Sequence, residues 1–260
     1  MRKLLPALLC GLLAVLVIVS AASADGWGSI KGRFVVKGTP PKLAPLVVNK
    51  DEYCINKMPK NESVVVGKND GLENVVVYLR VPLGSSVDVN PEYEAELKKP
   101  VVLDNKGCSF TPHIALVRVG QELKIENSDP PPVSHNTNIS LLAFNPIVPP
   151  GGSAEVKVTK DSPLPSPVQC NIHTWMKGYL LAQSHPYMAV SGNDGSFEIK
   201  DIPAGKHEFQ FWHEAPGYLR NLKFKGGTTD RRGRAKITIS AGKTLDLGDI
   251  TVPAAVLVQR

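Results

Sequence analysis

The sequence predicts an all-β protein built from sandwiches, and three observations support that fold class. Segments that alternate apolar and polar residues, or that are rich in β-branched residues, recur along most of the chain. Glycine and proline, at 22 residues each, supply many turns between these segments. Only Pro91–Lys98 has the composition of a short helix.

The predicted strands follow one another with turns between them. Ser29–Lys37 shows the alternation clearly and ends at a Gly-Thr-Pro-Pro turn. The predicted strands are, in chain order, Ser29–Lys37, Val64–Val66, Asn74–Val81, Ile114–Val119, Glu122–Asn127, Ala154–Thr159, Tyr179–Gln183, Phe197–Ile199, His207–Trp212, Ala235–Ile239 and Asp249–Val252. Many short strands separated by such turns are typical of β-sandwiches.

The N-terminus has the features of a secretory signal peptide. A basic Met-Arg-Lys start is followed by an apolar run from Leu4 to Val19, and then by Ala22-Ser-Ala before Asp25. We therefore expect residues 1–24 to be removed and the mature chain to be exported, either periplasmic or secreted. An uncleaved N-terminal anchor is the alternative. No second apolar run is long enough to span a bilayer.

The charge distribution and the motifs that are absent argue against two classes of function, nucleic-acid binding and catalysis. The formal charge of +6 falls to +4 without Arg2 and Lys3, and the basic residues are scattered. The one tight basic cluster, at 231–234, falls in a predicted turn, so we expect no nucleic-acid binding. The sequence has no Gly-x-Ser-x-Gly elbow, His-Glu-x-x-His pair or phosphate-binding glycine loop, and we expect the protein not to be an enzyme.

The cysteine count points to one special thiol. Without Cys10, which lies in the apolar signal segment, Cys54, Cys108 and Cys170 remain. An odd number in an oxidising compartment indicates a disulfide plus one distinct thiol, or a free reactive one. Cys54 and Cys108 are the natural disulfide pair, which leaves Cys170 single.

Residues 168–178 carry the most specific motif in the chain. They place Cys170, His173 and Met176 at the spacing Cys-x2-His-x2-Met. In a type 1 copper site, two histidines and one cysteine bind copper in a plane and a methionine binds weakly along the axis. Zinc is the main alternative, but its structural sites use nitrogen and sulfur ligands without methionine.

The missing second histidine is predicted at His135, which follows a proline-rich loop and precedes Asn136. With these residues, the region of about 100–185 resembles the cupredoxins. In that family an early histidine followed by asparagine is the first copper ligand, and the other ligands lie in the loop joining the last two strands. The short loop here is most similar to that of amicyanin, of the methylamine-utilisation type, rather than to the longer loop of plastocyanin.

The resemblance implies one type 1 copper ion bound by His135, Cys170 and His173, with Met176 as the axial ligand. Asn136 and Trp175 surround that site. The asparagine is expected to tie the His135 segment to the Cys170 loop by hydrogen bonds. The tryptophan is expected to form an apolar rim that excludes water.

The two ends of the chain resemble another family, the carboxypeptidase regulatory-like or transthyretin-like β-sandwich, a fold shared with several carbohydrate-binding modules. The match covers roughly 28–82 and 186–253, and its most specific part is Asp-Gly-x-Phe-x-Ile-x-x-Ile-Pro-x-Gly, from Asp194 to Gly205. We therefore predict a cupredoxin-like domain at 96–185, inserted into a discontinuous sandwich of residues 25–95 plus 186–260.

The cupredoxin resemblance implies an electron carrier that cycles between Cu(II) and Cu(I) and meets redox protein partners through His173, Trp175 and nearby loops. Two alternatives remain at this point. The outer sandwich could be a carbohydrate- or surface-binding module, with exposed Trp27, Trp212 and Tyr218 stacking on sugars. The copper site could instead serve copper delivery or storage.

The remaining candidate residues are given structural roles. His113, His185 and His213 are not assigned to the copper site; His185 is expected to pack at the join between the domains. Asp129 lies in a predicted turn, where aspartate usually caps backbone groups.

Overall fold

The computed structural model describes residues 26–82 and 84–258, and the all-β prediction is confirmed. The predicted signal peptide lies outside the described residues. The first ten strands are β1 (Trp27–Lys37), β2 (Val76–Arg80), β3 (Val101–Lys106), β4 (Ser109–Thr111), β5 (Ile114–Arg118), β6 (Glu122–Asn127), β7 (His135–Asn136), β8 (Asn138–Ile139), β9 (Ile147–Val148) and β10 (Ser153–Lys157). The others are β11 (Ser166–Gln169), β12 (Lys177–Gln183), β13 (Met188–Val190), β14 (Ser196–Pro203), β15 (Gly205–His213), β16 (Gly217–Tyr218), β17 (Lys223–Phe224), β18 (Gly227–Thr228), β19 (Arg234–Ile239) and β20 (Thr244–Pro253).

In the described part of the chain, helical structure is limited to short segments. The α-helix is α1 (Glu52–Lys57), and 3-10 helix occupies Lys68–Asp70, Pro91–Lys98, Ser140–Leu142 and Ala254–Leu257. The helix predicted at Pro91–Lys98 is present in 3-10 form, but the strand predicted at Val64–Val66 is wrong, because that segment makes only an isolated bridge. Between residue 26 and residue 258, leaving position 83 aside, no helix has the length and apolar character needed to cross a bilayer.

Four sheets form two sandwiches. The outer sandwich consists of the sheet β14-β1-β20 and the sheet β13-β2-β15, with β16 and β19 along the far edge of β15. The second sandwich consists of the sheets β10-β6-β3-β4 and β5-β12-β11-β8. Two short ribbons, β17-β18 and β7-β9, lie outside these sheets. The β7-β9 ribbon carries His135, one of the predicted metal ligands.

The two sandwiches pack against each other through one sheet of each, and these two sheets are therefore buried on both faces. Side chains alternate between the faces of a strand. In β2, Val77 packs in the core of the outer sandwich, whereas Val76 and Tyr78 pack in a cluster between the sandwiches. In β12, Leu180 packs in the core of the second sandwich and Leu181 in that same intermediate cluster. The result is a stack of four sheets.

The outer sandwich depends on a tight turn in the motif from Asp194 to Gly205. Gly195 has a φ of +82°, and a Cβ there would lie 2.1 Å from the Phe34 carbonyl oxygen. Only glycine allows this approach of backbone to backbone. The turn lets Phe197 stack on Phe34, with ring centroids 5.2 Å apart, inside the outer core.

Residues 39–63, which we call the strap, connect the two sandwiches outside the sheets. Leu43 packs against the core of the outer sandwich, and further along the chain Leu46 and Tyr53 pack against the second core. The strap is bonded there through the Cys54–Cys108 disulfide, which confirms the predicted pairing. Part of the range 25–95, predicted for the outer sandwich, therefore packs on the second one.

Candidate metal centre

The predicted metal ligands lie at one end of the second sandwich. His135 is in β7, Cys170 directly follows β11, and His173 and Met176 lie in the turn before β12. His135, Cys170 and His173 each offer a ligand atom within 4.8 Å of the others. All four side chains are buried. Residues 38 positions apart in sequence are thus brought together by the fold.

The loop from Cys170 to Met176 is closed by its own backbone. The Cys170 N–H donates to the Met176 carbonyl at 3.3 Å, and the Met176 N–H donates to the His173 carbonyl at 2.8 Å. The His173 N–H donates to the Cys170 sulfur at 3.3 Å. The antiparallel pair β11-β12 holds both ends of this turn.

The two imidazole rings face each other through their Nδ1 atoms, which are 2.9 Å apart. The Cys170 Sγ lies 3.9 Å from the His173 Nδ1. The outer nitrogens both contact carboxylates: His135 Nε2 is 2.8 Å from Asp129 Oδ2, and His173 Nε2 is 2.5 Å from Asp51 Oδ2. A carboxylate accepts hydrogen bonds, so the tautomer that donates from Nε2 to it leaves a lone pair on Nδ1. In that tautomer the two Nδ1 atoms can together coordinate one cation.

Asp129 is fixed by the backbone of the turn between β3 and β4. Its carboxylate accepts hydrogen bonds from the Gly107 N–H at 2.5 Å and the Cys108 N–H at 2.9 Å. Burial alone would raise the pKa of Asp129, but these bonds and the one from His135 lower it. Burial alone would lower the pKa of His135, but Asp129 and Cys170 raise it. Asp129 therefore caps backbone groups, as predicted, and also orients a histidine, which was not predicted.

Cys108 also lies within reach of Asp129 and His135, but it is not a ligand candidate. Its sulfur is bonded to Cys54, so it offers no thiolate. Cys170, by contrast, has a free thiol. Burial opposes ionisation of that thiol, yet the rings of His135 and His173 lower the pKa of Cys170 to about 6. The thiolate, which is the metal-binding form, therefore predominates at neutral pH.

Asn136 connects the β7 segment to the loop that carries Cys170. Its Oδ1 accepts hydrogen bonds from the Asn171 N–H at 2.7 Å and the Ile172 N–H at 3.1 Å, and lies 3.4 Å from the Cys170 sulfur. Its Nδ2 donates to Asn145 Oδ1 at 2.6 Å. One amide thus fixes the position of the loop relative to the preceding histidine.

Trp175 and Met176 lie on the side of the loop that faces the second core. The Trp175 ring is 5.0 Å from the His173 ring, and its Nε1–H donates to the Cys108 carbonyl at 3.2 Å. His173 is 0% exposed and Trp175 8% exposed. The expectation that these two side chains form an exposed contact patch is therefore wrong, because Asp51 and the surrounding loop cover the histidine.

The other histidines lie outside this cluster. His113 pairs with Glu214 at 2.6 Å and faces Glu62 at 3.6 Å. His185 and His213 are buried, and burial lowers the pKa of each to about 4, so both rings are neutral.

Trp212 was predicted to be exposed for sugar stacking. It is buried in the cluster between the sandwiches, at 6% exposure, so that prediction is wrong.

Two functional candidates, Asp51 and Asp129, were missed as partners of the histidines. Asp129 lies six residues before His135, and this closeness is the only local signal for it. Asp51 lies 122 residues from His173, and nothing in the sequence around it points to that contact.

No family model matches the sequence, and no curated protein matches it. Some solved structures are similar to part of the chain. A reduced amicyanin variant is 17% identical with a TM-score of 0.29, covering 32% of this chain and 81% of that one. An oxidised amicyanin variant is 14% identical with a TM-score of 0.29, covering 41% and 97%. A copper-containing nitrite reductase from Thermus scotoductus SA-01 is 22% identical with a TM-score of 0.30, covering 39% and 24%. At such TM-scores we take no functional conclusion from these matches.

Proposed function

We propose that this chain is an exported type 1 copper protein that carries single electrons between redox protein partners. His135, Cys170 and His173 would bind copper in a plane, with Met176 as the weak axial ligand. The observation that carries the proposal is the convergence of the two Nδ1 atoms beside the Cys170 sulfur while both Nε2 atoms contact carboxylates.

The donor set fits copper better than the alternatives. Thiolate and thioether are soft ligands and imidazole is borderline, a combination that selects copper over Mg²⁺, Ca²⁺ or Mn²⁺. The three buried donors, His135, Cys170 and His173, lie within 4.8 Å of one another. None of them is a carboxylate, the ligand type that hard cations require. Zinc accepts cysteine and histidine as well, and it is therefore the competitor that an experiment must exclude.

Copper bound there would supply a Cu(II)/Cu(I) couple. The protein's own contribution is to hold the ligands still. Asn136 fixes the loop, Asp129 and Asp51 fix the two rings, and the strands β11 and β12 hold both ends of the Cys170–Met176 turn. Because the ligands are buried and braced, little rearrangement should accompany the gain of one electron from a donor and its loss to an acceptor.

The proposed protein is exported, and its chain is divided into a metal-binding unit and a carrier sandwich. Export is supported by the Cys54–Cys108 disulfide, since such bonds persist mainly in oxidising compartments. The division into a metal-binding unit at 96–185 and a carrier sandwich of 25–95 plus 186–260 is supported by the separate cores of the two sandwiches. Redox partners would be met in weak encounters of small area.

The proposal is tested by the visible absorption spectrum of the mature protein with Cu(II). We expect a strong thiolate-to-copper band, and we expect Cys170→Ser to lose it. A colourless wild-type protein that takes up zinc and not copper would contradict the proposal.

The axial role of Met176 is tested separately, with Met58 as a matched control. Met176 is buried at the end of the Cys170–Met176 loop, whereas Met58 is 73% exposed at the end of α1. Met176→Leu should shift the reduction potential and the position of the thiolate band, because the axial ligand tunes both. Met58→Leu should leave them unchanged, and equal spectra and potentials for the two variants would remove Met176 from the ligand set.

A further inference from the structure

We propose that Asp51 is a positioning residue for His173, and that the strap delivering it closes the metal centre so that a bound ion is retained rather than handed over. This inference rests on the proposed function, since it concerns the same site. It separates two roles that the ligand set alone leaves open, electron transfer and copper delivery.

The first observation is where the Asp51 carboxylate lies. Its Oδ2 is 2.5 Å from His173 Nε2, while its side chain is 33% exposed and that of His173 is 0% exposed. The carboxylate therefore lies between solvent and the outer edge of the ring. His173 cannot swing outward, or be reached from that side, while the strap stays in place.

The second observation is the backbone of Asp51. Its φ of 57° and ψ of 117° are unusual for a residue other than glycine, and α1 begins at the next residue. Strained backbone conformations of this kind persist where surrounding contacts hold them in place, and they cluster at functional sites. Here the carbonyl of Asp51 accepts the first helical hydrogen bond, from Ile55, at 3.0 Å.

The third observation is that the Cys54–Cys108 disulfide joins the two segments that hold the rings of His135 and His173. Cys54, three residues after Asp51, is bonded to Cys108. The Cys108 N–H holds Asp129, which contacts His135, and the Cys108 carbonyl accepts the Trp175 Nε1–H. The disulfide thus connects the carboxylate that orients one histidine to the carboxylate that orients the other.

These contacts have a chemical consequence. A carboxylate that accepts a hydrogen bond from a ligating histidine fixes its orientation and makes it a stronger ligand, and losing such a partner typically costs about 10- to 100-fold in metal affinity. Because Asp51 also blocks the outward path of the ring, its loss should act mainly on the rate at which the metal leaves. A centre closed in this way suits an electron carrier better than a delivery protein.

The test compares Asp51→Ala and Asp51→Asn with wild type, and Glu52→Gln serves as the control. Glu52 is the exposed neighbouring acid. We expect release of Cu(I) to the chelator bicinchoninate to be about 10- to 100-fold faster in Asp51→Ala. Asp51→Asn keeps a hydrogen-bond acceptor, so its release rate should stay closer to wild type. The potential of both Asp51 variants should rise, because removing a negative charge favours Cu(I). Glu52→Gln should match wild type in both measurements.

A metal-free readout tests the positioning role directly. In the apo protein, ¹⁵N NMR of the His173 ring should show the proton on Nε2 in wild type and a mixture of tautomers in Asp51→Ala. Coupling through the strap is tested with the Cys54→Ser/Cys108→Ser variant. Asp51→Ala should accelerate Cu(I) release less in that variant than in wild type. The reason is that loss of the disulfide and loss of Asp51 both free the same segment of the strap.

The outcomes separate the two proposals. If wild type shows the thiolate band but Asp51→Ala releases copper and holds its potential like wild type and Glu52→Gln, the inference about Asp51 is overturned and the copper proposal stands. Rapid release by wild type would also overturn it, in favour of delivery. If wild type shows no thiolate band, the copper proposal itself fails.

Discussion

The two sandwiches of this protein share an architecture but differ in what their cores contain. The core of the outer sandwich is formed by aliphatic and aromatic side chains such as Phe34, Phe209 and Phe211. The core of the second sandwich contains the disulfide, the free thiol of Cys170 and the thioether of Met176. A sandwich core can thus serve stability alone, or it can hold reactive groups at one end. The difference arises from a few side chains and not from the sheet topology.

The histidines show why burial alone does not make a ligand. His185 and His213 are as buried as His135 and His173, but burial lowers the pKa of each to about 4 and the Nε2 atom of each has no hydrogen-bond partner among the described residues. The rings of His135 and His173 instead each contact a carboxylate and converge on Cys170. His113 also contacts carboxylates, so the convergence of two carboxylate-bound rings on one thiol is what distinguishes the candidate site.

Removing the disulfide should have the largest effect on stability. It closes a loop with a sequence separation of 54 residues. The chain-entropy model gives about 4 kcal/mol for a loop of this length. Denaturant titration of the apo Cys54→Ser/Cys108→Ser protein should show a loss of this order in the free energy of unfolding. An unchanged midpoint would mean that the strap is held to the second sandwich by its other contacts.

His113 should make stability depend on pH. Burial opposes protonation of its ring, but Glu214 and Glu62 raise the pKa of His113 to about 9. The folded pKa exceeds the unfolded value near 6.5, so this stabilisation is complete below about pH 6.5 and is lost as pH rises through about 9. A rise in pKa of this size corresponds to a loss of roughly 3 kcal/mol in the free energy of unfolding.

The measurement is the free energy of unfolding of wild type and His113→Gln between pH 6.5 and pH 9.5, with His207→Gln as the control. The His207 ring lies in β15 and contacts the Pro203 carbonyl oxygen. Only His113→Gln should flatten the pH dependence, and parallel curves for all three proteins would contradict the assignment.

Two matched valines test whether the cores act separately. Val77 and Val168 are both 0% exposed, the first in the outer core and the second in β11, two residues before Cys170. Replacing either valine with alanine should lower the free energy of unfolding by about 2 kcal/mol, because apolar area is lost and a cavity is left. Only Val168→Ala should change the spectrum of the copper-loaded protein. A spectral change in Val77→Ala would mean that the outer core also shapes the metal centre.

Trp175→Phe should have the smallest effect of the four. It removes the hydrogen bond to the Cys108 carbonyl, a loss of about 1 kcal/mol, and leaves an aromatic ring beside His173. We expect the thiolate band to persist and the release of copper to be slightly faster. Complete loss of the band would show that Trp175 does more than cover the site.

Much of the fold was predictable because the strands follow local patterns. Glu122–Asn127 was predicted at its observed bounds, and Ile114–Val119 is one residue longer than the observed β5. The motif from Cys170 to Met176 and His135 could be proposed from spacing, because the ligand types are rare in combination. These are features that a few neighbouring residues determine.

The rest depended on contacts between distant segments. The helix α1 lies in the short stretch Asp51–Lys57, whose position is set by the disulfide and not by an amphipathic repeat. The contact between Asp51 and His173 spans 122 residues. Trp212 was expected at the surface, because nothing local shows that a second sandwich packs against its strand. Sequence patterns identify ligands more readily than the residues that orient them.

The central claim is that the two histidines and Cys170 bind one copper ion. X-ray absorption at the copper edge of the loaded mature protein tests it most directly. We predict one sulfur and two imidazole nitrogens as the close ligands, with the sulfur absent in Cys170→Ser. A copper environment of nitrogen and oxygen alone in the wild-type protein would contradict the claim.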